Sequence, residues 1–429
     1  MKRIPVAAVA ALAIVGLAAP DLPAQPASRP LGFGESRSFH SAILNEDREL
    51  QISLPDSYGR TAISYPVLFL LDGSSHILHG TATTRFLASA RSRIPEMIVV
   101  ALPNTNRNRD MTPGSGAAIF ERVLAEEIIP WVERNFRAAR ERILFGHSLS
   151  GSFAVHALLN RPELFRAYVA ASAPVWRYEG FAADVRAGLP RAAKAGAAVF
   201  LAVGQHENEQ LRNGMQQFAA TLKSAPAGSA PAWSFVDMKD ADHSSTPMPS
   251  LYEALDARYA DWRLPFFEDA AGLDKVAGWQ GIDSHYQRFS KHFGYTAPPP
   301  EATLLQAANV YVAGERYDDV LQMARIYKVP YPALSERLVN QLGYDQLRRG
   351  RTDAAVKTFK GNADAFPDSP NVHDSLGDAY CRAGDEASAR QSYARAAQVA
   401  ETRSPPHPRA ASYRDKANKG CSSGSSSRE

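Results

Sequence analysis

Between Glu49 and Met238 the sequence lays down short, almost wholly apolar runs at intervals: YPVLFLLDG, EMIVVALPN, ERILFGHS, AYVAASAP, AVFLAVGQ and AWSFVDM. A seventh run, ELQISLP (Glu49 to Pro55), alternates in the way of a half-buried strand. Apolar runs of this length cannot leave one face in water. With helical segments between several of them, they predict a mostly parallel sheet covered on both faces, a doubly wound α/β architecture. The segment Phe120 to Phe136, FERVLAEEIIPWVERNF, has apolar residues at three- and four-residue spacing and reads as a helix running into the ERILFGHS strand.

The chain of 429 residues has room for one large domain and a smaller one, and 45% hydrophobic with 22% charged residues suffices for a core. Its start, MKRIPVAAVAALAIVGLAAPDLPAQ, has a basic end, an apolar run from Val6 to Ala19 and small residues after it. This predicts a signal peptide over residues 1–24, cleaved after Ala24, and hence a periplasmic or secreted protein. The run is about 14 residues, short of the ~20 that span a bilayer. The formal net charge of +3 falls by two when Lys2 and Arg3 leave, so nothing favours nucleic acid as a partner. The two cysteines, Cys381 and Cys421, are not expected to form a disulfide framework or a metal site.

Near Tyr295 the composition shifts to YTAPPPEAT, so residues 268–300 read as a linker after a globular segment over 32–267. That segment is long enough to hold its own core, and a chain ending near Thr296 is expected to fold. Residues 301–402 read as all helical. LGYDQLRRGRTDAAVKTF from Leu342 and LGDAYCRAGDEASARQSY from Leu376 match at an offset of 34 residues, the tetratricopeptide period. Leu342/Leu376, Gly343/Gly377, Gly350/Gly384, Ala355/Ala389, Phe359/Tyr393 and Ala363/Ala397 align. Residues 403–429, rich in Ser, Gly and Pro, read as a disordered tail.

The chemistry concentrates at FGHSLSG, Phe145 to Gly151. A serine hydroxyl attacks only when a base takes its proton, and a sharp strand-to-helix turn lifts it clear of the backbone. Such a turn needs small residues two positions to either side. Ser148 has Gly146 before it and the small Ser150 after it; Ser150 lacks the preceding glycine. Ser148 is therefore the expected nucleophile, although a G-x-S in an ordinary tight turn would look the same. With the order serine, acid, histidine, the base falls after the last strand, at His243 in DADHSS. The acid falls after AVFLAVGQ, at Glu207 or Glu209, with Glu207 the better placed and Glu209 more simply a helix-start carboxylate. His206 reads as a loop residue beside the acid. Oxyanion donors are expected from the Leu149 N–H and from the Gly73–Ser74 turn, whose composition also suits a plain turn. The HILH pair, His76 and His79, reads as loop residues. No metal set and no dinucleotide or phosphate motif is found, so no cofactor is expected.

LLDGSSH, VVALPNTNRNRDMTP, FGHSLSGSFAVHALLNRPELF and DADHSSTPMPSLYEAL together make the segment 32–267 resemble the putative esterase family of α/β-hydrolases, which includes esterase D and siderophore esterases. The resemblance implies a triad of Ser148, His243 and an acid in the Glu207 region, with the second oxyanion donor at Ser74 or Gly73. Ser150 replaces the commoner glycine, and a glutamate stands where aspartate is usual. Asn104, Arg107, Arg109 and Asp110 resemble a loop near the site, as substrate contacts or, equally, as loop-fixing salt bridges. The expectation is an exported serine hydrolase that cleaves carboxylic esters of small molecules. The alternatives are a catecholate siderophore lactone as substrate, or an idle hydrolase fold whose repeats bind a protein partner.

Overall fold

A computed structural model describes residues 32–89, 92–177 and 180–424. The expected signal peptide lies outside the described residues. Eight strands form one sheet in the order β1-β2-β4-β3-β5-β6-β7-β8. They are β1 Glu35–Ser41, β2 Glu46–Ser53, β3 Tyr65–Leu70, β4 Ile98–Ala101, β5 Ala138–His147, β6 Ala167–Ala171, β7 Ala198–Gly204 and β8 Ala232–Met238. All pairings from β4 through β3 to β8 are parallel; β1/β2 and β2/β4 are antiparallel. β1, ESRSFHS, has no apolar run, because this edge strand exposes most of its side chains and needs none.

Side chains of the central strands alternate between two cores, as the two-residue period of a strand requires. Val67, Phe69, Ile98, Val100, Leu144 and Tyr168 pack on one face with the helices Ser115–Arg122, Leu149–Asn160, Phe181–Lys194 and Glu209–Ser224. Leu68, Leu70, Val99, Ile143, Phe145 and Val169 pack on the other with Gly73–Ser89 and Pro247–Arg258. The helix expected over 120–136 is present as a continuous helical run to Asn135, which widens to π pitch over Val123–Ile128. Pro130 has no N–H to give and its ring crowds the carbonyl four residues back, which the wider turn accommodates.

The second core does not end at Phe267. Residues 268–300, read as a linker, contain the helices Ala270–Lys275 and Gly278–Phe293. Trp279, Ile282, Tyr286 and Phe293 are buried in the same cluster as the sheet residues, with Leu304, Ala308, Tyr311 and Leu338 from the helices that follow. An aromatic group made by Tyr259, Trp262, Tyr286, Phe289 and Phe293 joins the two regions. From Gly34 onward the chain forms one compact unit. Pro298–Pro300 end a short connection, and Pro300 caps the helix Glu301–Ala313. The composition shift at Tyr295 therefore marks a helix boundary within one body.

The C-terminal region is helix-rich. Its last hairpins, Pro332–Arg348 with Thr352–Ala365 and Pro370–Arg382 with Glu386–Glu401, pack through matching positions. A Cβ on Gly343 would stand 2.6 Å from the Phe359 ring, and one on Gly377 would stand 2.4 Å from the Tyr393 ring. Over its described part, 403–424, the tail read as disordered instead forms the helix Ala410–Lys419 and a short 3-10 turn. Tyr413 is fully buried against Ala396, Ala397 and Ala400, and Lys416 bonds Asp374 and Asp378. Cys381 and Cys421, not expected to pair, form a disulfide with Cα atoms 5.2 Å apart. The fold of the tail onto Pro370–Arg382 brings together residues 40 apart, which spacing alone could not reveal. Among the described residues no helix is long and apolar enough to cross a membrane.

Candidate active site

β5 ends at His147 and the helix Leu149–Asn160 begins two residues later. Ser148 makes the corner alone, at φ 57° and ψ −124°, conformational territory that L-residues rarely hold. Its N–H bonds the Ala171 carbonyl at 2.9 Å, and its side chain does not cap the helix. The need for small neighbours is visible in distances. A Cβ on Gly146 would lie 2.1 Å from the Ser150 carbonyl oxygen, and one on Gly151 would lie 3.0 Å from that of Ala171.

Ser150 is fully buried and its hydroxyl is engaged. It donates to Asp72 Oδ2 at 2.6 Å and accepts the His147 N–H at 2.9 Å. The serine that departs from the usual glycine thus ties the turn to Asp72, and the half-buried Ser148 is the hydroxyl left open. Asp72 also accepts from Asn104 Nδ2 at 2.5 Å and from Arg107 Nε and Nη2 at 2.6 and 2.9 Å. Burial pushes the Asp72 carboxyl upward, but the bonds from Arg107, Ser150 and Asn104 outweigh it and hold the group below its usual range.

Glu207 follows β7, and its carboxylate meets His243 Nδ1 at 2.9 Å (Oε2) and 3.2 Å (Oε1). The Glu207 side chain is almost wholly buried while the imidazole is 44% exposed, so the acid supports the ring from inside and the ring faces outward. Gly204 lets the two loops close, since a Cβ there would stand 2.4 Å from the Ala241 carbonyl oxygen. Within the histidine loop, Asp242 Oδ1 accepts the N–H groups of Ser244 and Ser245. Glu209 is exposed and opens the helix Glu209–Ser224, whose cap is Asn208. His206 is exposed in the loop.

Ser148, Glu207 and His243 border one cavity of about 470 Å³ with Pro174, Trp176 and Asn208. A second, of about 400 Å³, also meets Ser148 and Pro174 and is bordered by Arg107, Thr112 and Leu149. Among the described residues no hydrogen bond joins Ser148 to His243; the cavity is what they share. Neither Gly73 nor Ser74 borders either space. The Gly73 N–H is already bonded to the Leu102 carbonyl at 2.9 Å, whereas Ser74 is exposed at the start of the helix Gly73–Ser89.

The loop residues divide. Arg109 bonds Glu46 and Asp110, and the fully buried Asp110 also takes Arg48 at 2.8 Å, so these two fasten the loop to β2. Arg107 holds Asp72 and also faces the second cavity; Asn104 holds Asp72. His76 and His79, expected in a loop, lie on the helix Gly73–Ser89 and bond each other at 2.8 Å. Burial, then the neighbouring His79, pushes His76 down to about 4. Among the described residues no group of side chains suits a metal ion.

Two residues that the sequence reading passed over join the site. Asp72 was visible only as part of a DG turn. His147 was visible only as the unspecified residue of G-x-S, yet its Nε2 donates to the His243 carbonyl oxygen at 2.8 Å.

Residues 41–237 match the family model described as putative esterase. An uncharacterized protein of Bacillus subtilis, YbbA, is 26% identical over 180 residues, 38% of this chain and 70% of its own. The ferri-bacillibactin esterase BesA of the same organism is 31% identical over 168 residues, 32% of this chain and 57% of its own. The chain thus spans a little over half of that esterase. A crystal structure described as an IroE-like serine hydrolase from Shewanella oneidensis superposes with a TM-score of 0.55 at 23% identity, covering 71% of this chain and 99% of its own, a likeness of fold. The matched segment includes the serine corner and the strand before Glu207, and it ends before His243.

Proposed function

We propose that the protein is an exported serine hydrolase of carboxylic esters. The observation that carries this reading is the open Ser148 hydroxyl at a strained strand-to-helix corner, in one cavity with a His243–Glu207 pair bonded at 2.9 Å. Ser148 Oγ attacks the ester carbonyl carbon while His243 Nε2 takes its proton. The Leu149 N–H, next to the nucleophile, faces the oxyanion; the expected second donor is not supported, since the Gly73 N–H is engaged and Ser74 borders neither cavity. The tetrahedral adduct collapses, the alkoxide leaves with the proton from His243, and Ser148 keeps the acyl group. Water then attacks that ester with His243 again as base, returning a carboxylic acid and free Ser148. Glu207 holds the imidazole in the Nδ1–H tautomer and offsets the charge it gains. No cofactor enters these steps.

Siderophore esters are the narrower substrate reading. It is supported by the relative named ferri-bacillibactin esterase at 31% identity and by the siderophore enterobactin esterase of Emericella nidulans at 33% over 151 residues. Export is supported by the N-terminal pattern and by the Cys381–Cys421 disulfide, a bond that persists in oxidising compartments. The matching Gly343/Phe359 and Gly377/Tyr393 packing supports reading the last hairpins as tetratricopeptide-like, a surface for a protein partner.

The test is a panel of p-nitrophenyl esters and siderophore lactones, together with fluorophosphonate labelling. Turnover and labelling are expected in the wild type, with both lost in Ser148→Ala. An inert, unlabelled wild type refutes the reading.

A further inference from the structure

We propose that His147 is a positioning residue for the base: its Nε2–H, bonded to the His243 carbonyl oxygen at 2.8 Å, sets where the His243 imidazole stands relative to Ser148. The inference rests on the reading of Ser148 and His243 as the reacting pair. Those two residues come from segments 95 positions apart, on the ends of β5 and of the loop after β8. Nothing local to either segment fixes their separation. The bond from His147 does so directly, because its donor is the chain neighbour of the nucleophile and its acceptor is the base's own backbone.

The chemistry of the contact is one-sided. A carbonyl oxygen only accepts, so His147 Nε2 carries the hydrogen. The two rings lie 4.6 Å apart at their centroids, tilted by 45°. A charged neighbour at that distance would oppose the charge His243 gains during the reaction. Burial, then the nearby His243, holds His147 down to about 4, so it stays neutral where His243 works as a base. The His76 ring stands edge-on behind it at 6.1 Å and is itself held neutral by burial. Asp72 and Arg107 are the charged groups that face His147, and they bond each other. A second donor reaches the same carbonyl: Thr246 Oγ1 at 3.2 Å, which meets Ser172 Oγ at 2.8 Å, both residues fully buried. The carbonyl of the base is thus gripped from the nucleophile side and from the β6 side.

The test compares His147→Leu, which removes the donor, with His147→Gln, whose amide nitrogen reaches the position of Nε2. Active-site titration with a fluorophosphonate counts competent sites, so rates are expressed per site. A misplacement of about 1 Å in a reacting group costs about 100-fold, so His147→Leu is expected to lower kcat per site about 10- to 100-fold. KM is expected to stay unchanged and His147→Gln to recover most of the rate. A merely structural role would lower the number of competent sites and leave their rate alone. If His147→Leu does not fold, His147→Asn takes its place, since its shorter amide stops short of the carbonyl. Full per-site rate in the variant without the donor, or a His147→Gln enzyme as slow as that variant, overturns the proposal. A wild type that neither turns over esters nor takes the label overturns the hydrolase reading instead.

Discussion

Replacing Ser150 by alanine separates its structural work from catalysis. Its hydroxyl donates to the Asp72 carboxylate at 2.6 Å and accepts the His147 N–H at 2.9 Å, at a site with no exposure to solvent. A hydrogen bond to a charged group contributes about 1.5–3 kcal/mol, and a buried N–H left without its acceptor costs about 1 kcal/mol more at the low end. Asp72 keeps Arg107 and Asn104, so the carboxylate is not stranded. The expected loss is about 3 kcal/mol, which for a cooperative unit of this size lowers Tm by about 4 °C. Because Ser150 is not the attacking group in the proposed mechanism, kcat per titrated site is expected to stay within an order of magnitude of wild type. The loss also has a pH signature. The Asp72 pKa is lowered in the folded protein, so the stability it contributes is present above the unfolded carboxylate pKa and fades as pH falls through the folded value. Ser150→Ala removes one of the bonds that lower it, so the folded value lies closer to the unfolded one and the variant is expected to lose less of its remaining stability than wild type as pH falls below the unfolded carboxylate pKa. Differential scanning calorimetry from pH 7 down to about pH 2.5, through the range in which a lowered carboxyl titrates, with fluorophosphonate labelling at pH 7, tests this. An unchanged Tm refutes the energetic account. Loss of labelling in Ser150→Ala with retention in Ser148→Ala would reverse the assignment of the two serines.

Glu207→Gln leaves a near-isosteric amide against His243 Nδ1 and is expected to lower kcat by about 100- to 10,000-fold, while Glu209→Gln, on an exposed helix start, changes it little; steady-state kinetics of the two variants checks the order. A chain ending after Thr296 loses Leu304, Ala307, Ala308, Tyr311 and Leu338 from the core that holds Phe145 and Trp262. It is expected to be insoluble or to lack a cooperative thermal transition, and a soluble truncated protein with wild-type turnover of a small ester would contradict the shared core.

Strands were legible wherever burial on both faces forces an unbroken apolar run, as at YPVLFLL and AVFLAVG. β1 was not, because an exposed edge strand carries no such signature. The π-helical stretch at Val123–Ile128 hides inside a sequence with good helical spacing, since only Pro130 betrays it. Trp279, Ile282, Tyr286 and Phe293 do have helical spacing, but the prolines after them drew the boundary in the wrong place.

The pattern of residues alone determined the mostly parallel sheet, the placing of FGHSLSG at a strand end and the small neighbours that a corner there needs. These follow from periodicity, local sterics and chain order, which near neighbours in sequence dictate. Tertiary structure alone decided that Glu207 and not Glu209 meets His243, that Ser150 serves Asp72, that His147 bonds the His243 carbonyl, and that Cys381 finds Cys421. Each of those contacts joins segments 36 to 96 residues apart. The first three depend on how the sheet and its two cores bring the loops together, and a one-residue change of strand register would break them; the disulfide depends on how the last helix packs beside Pro370–Arg382.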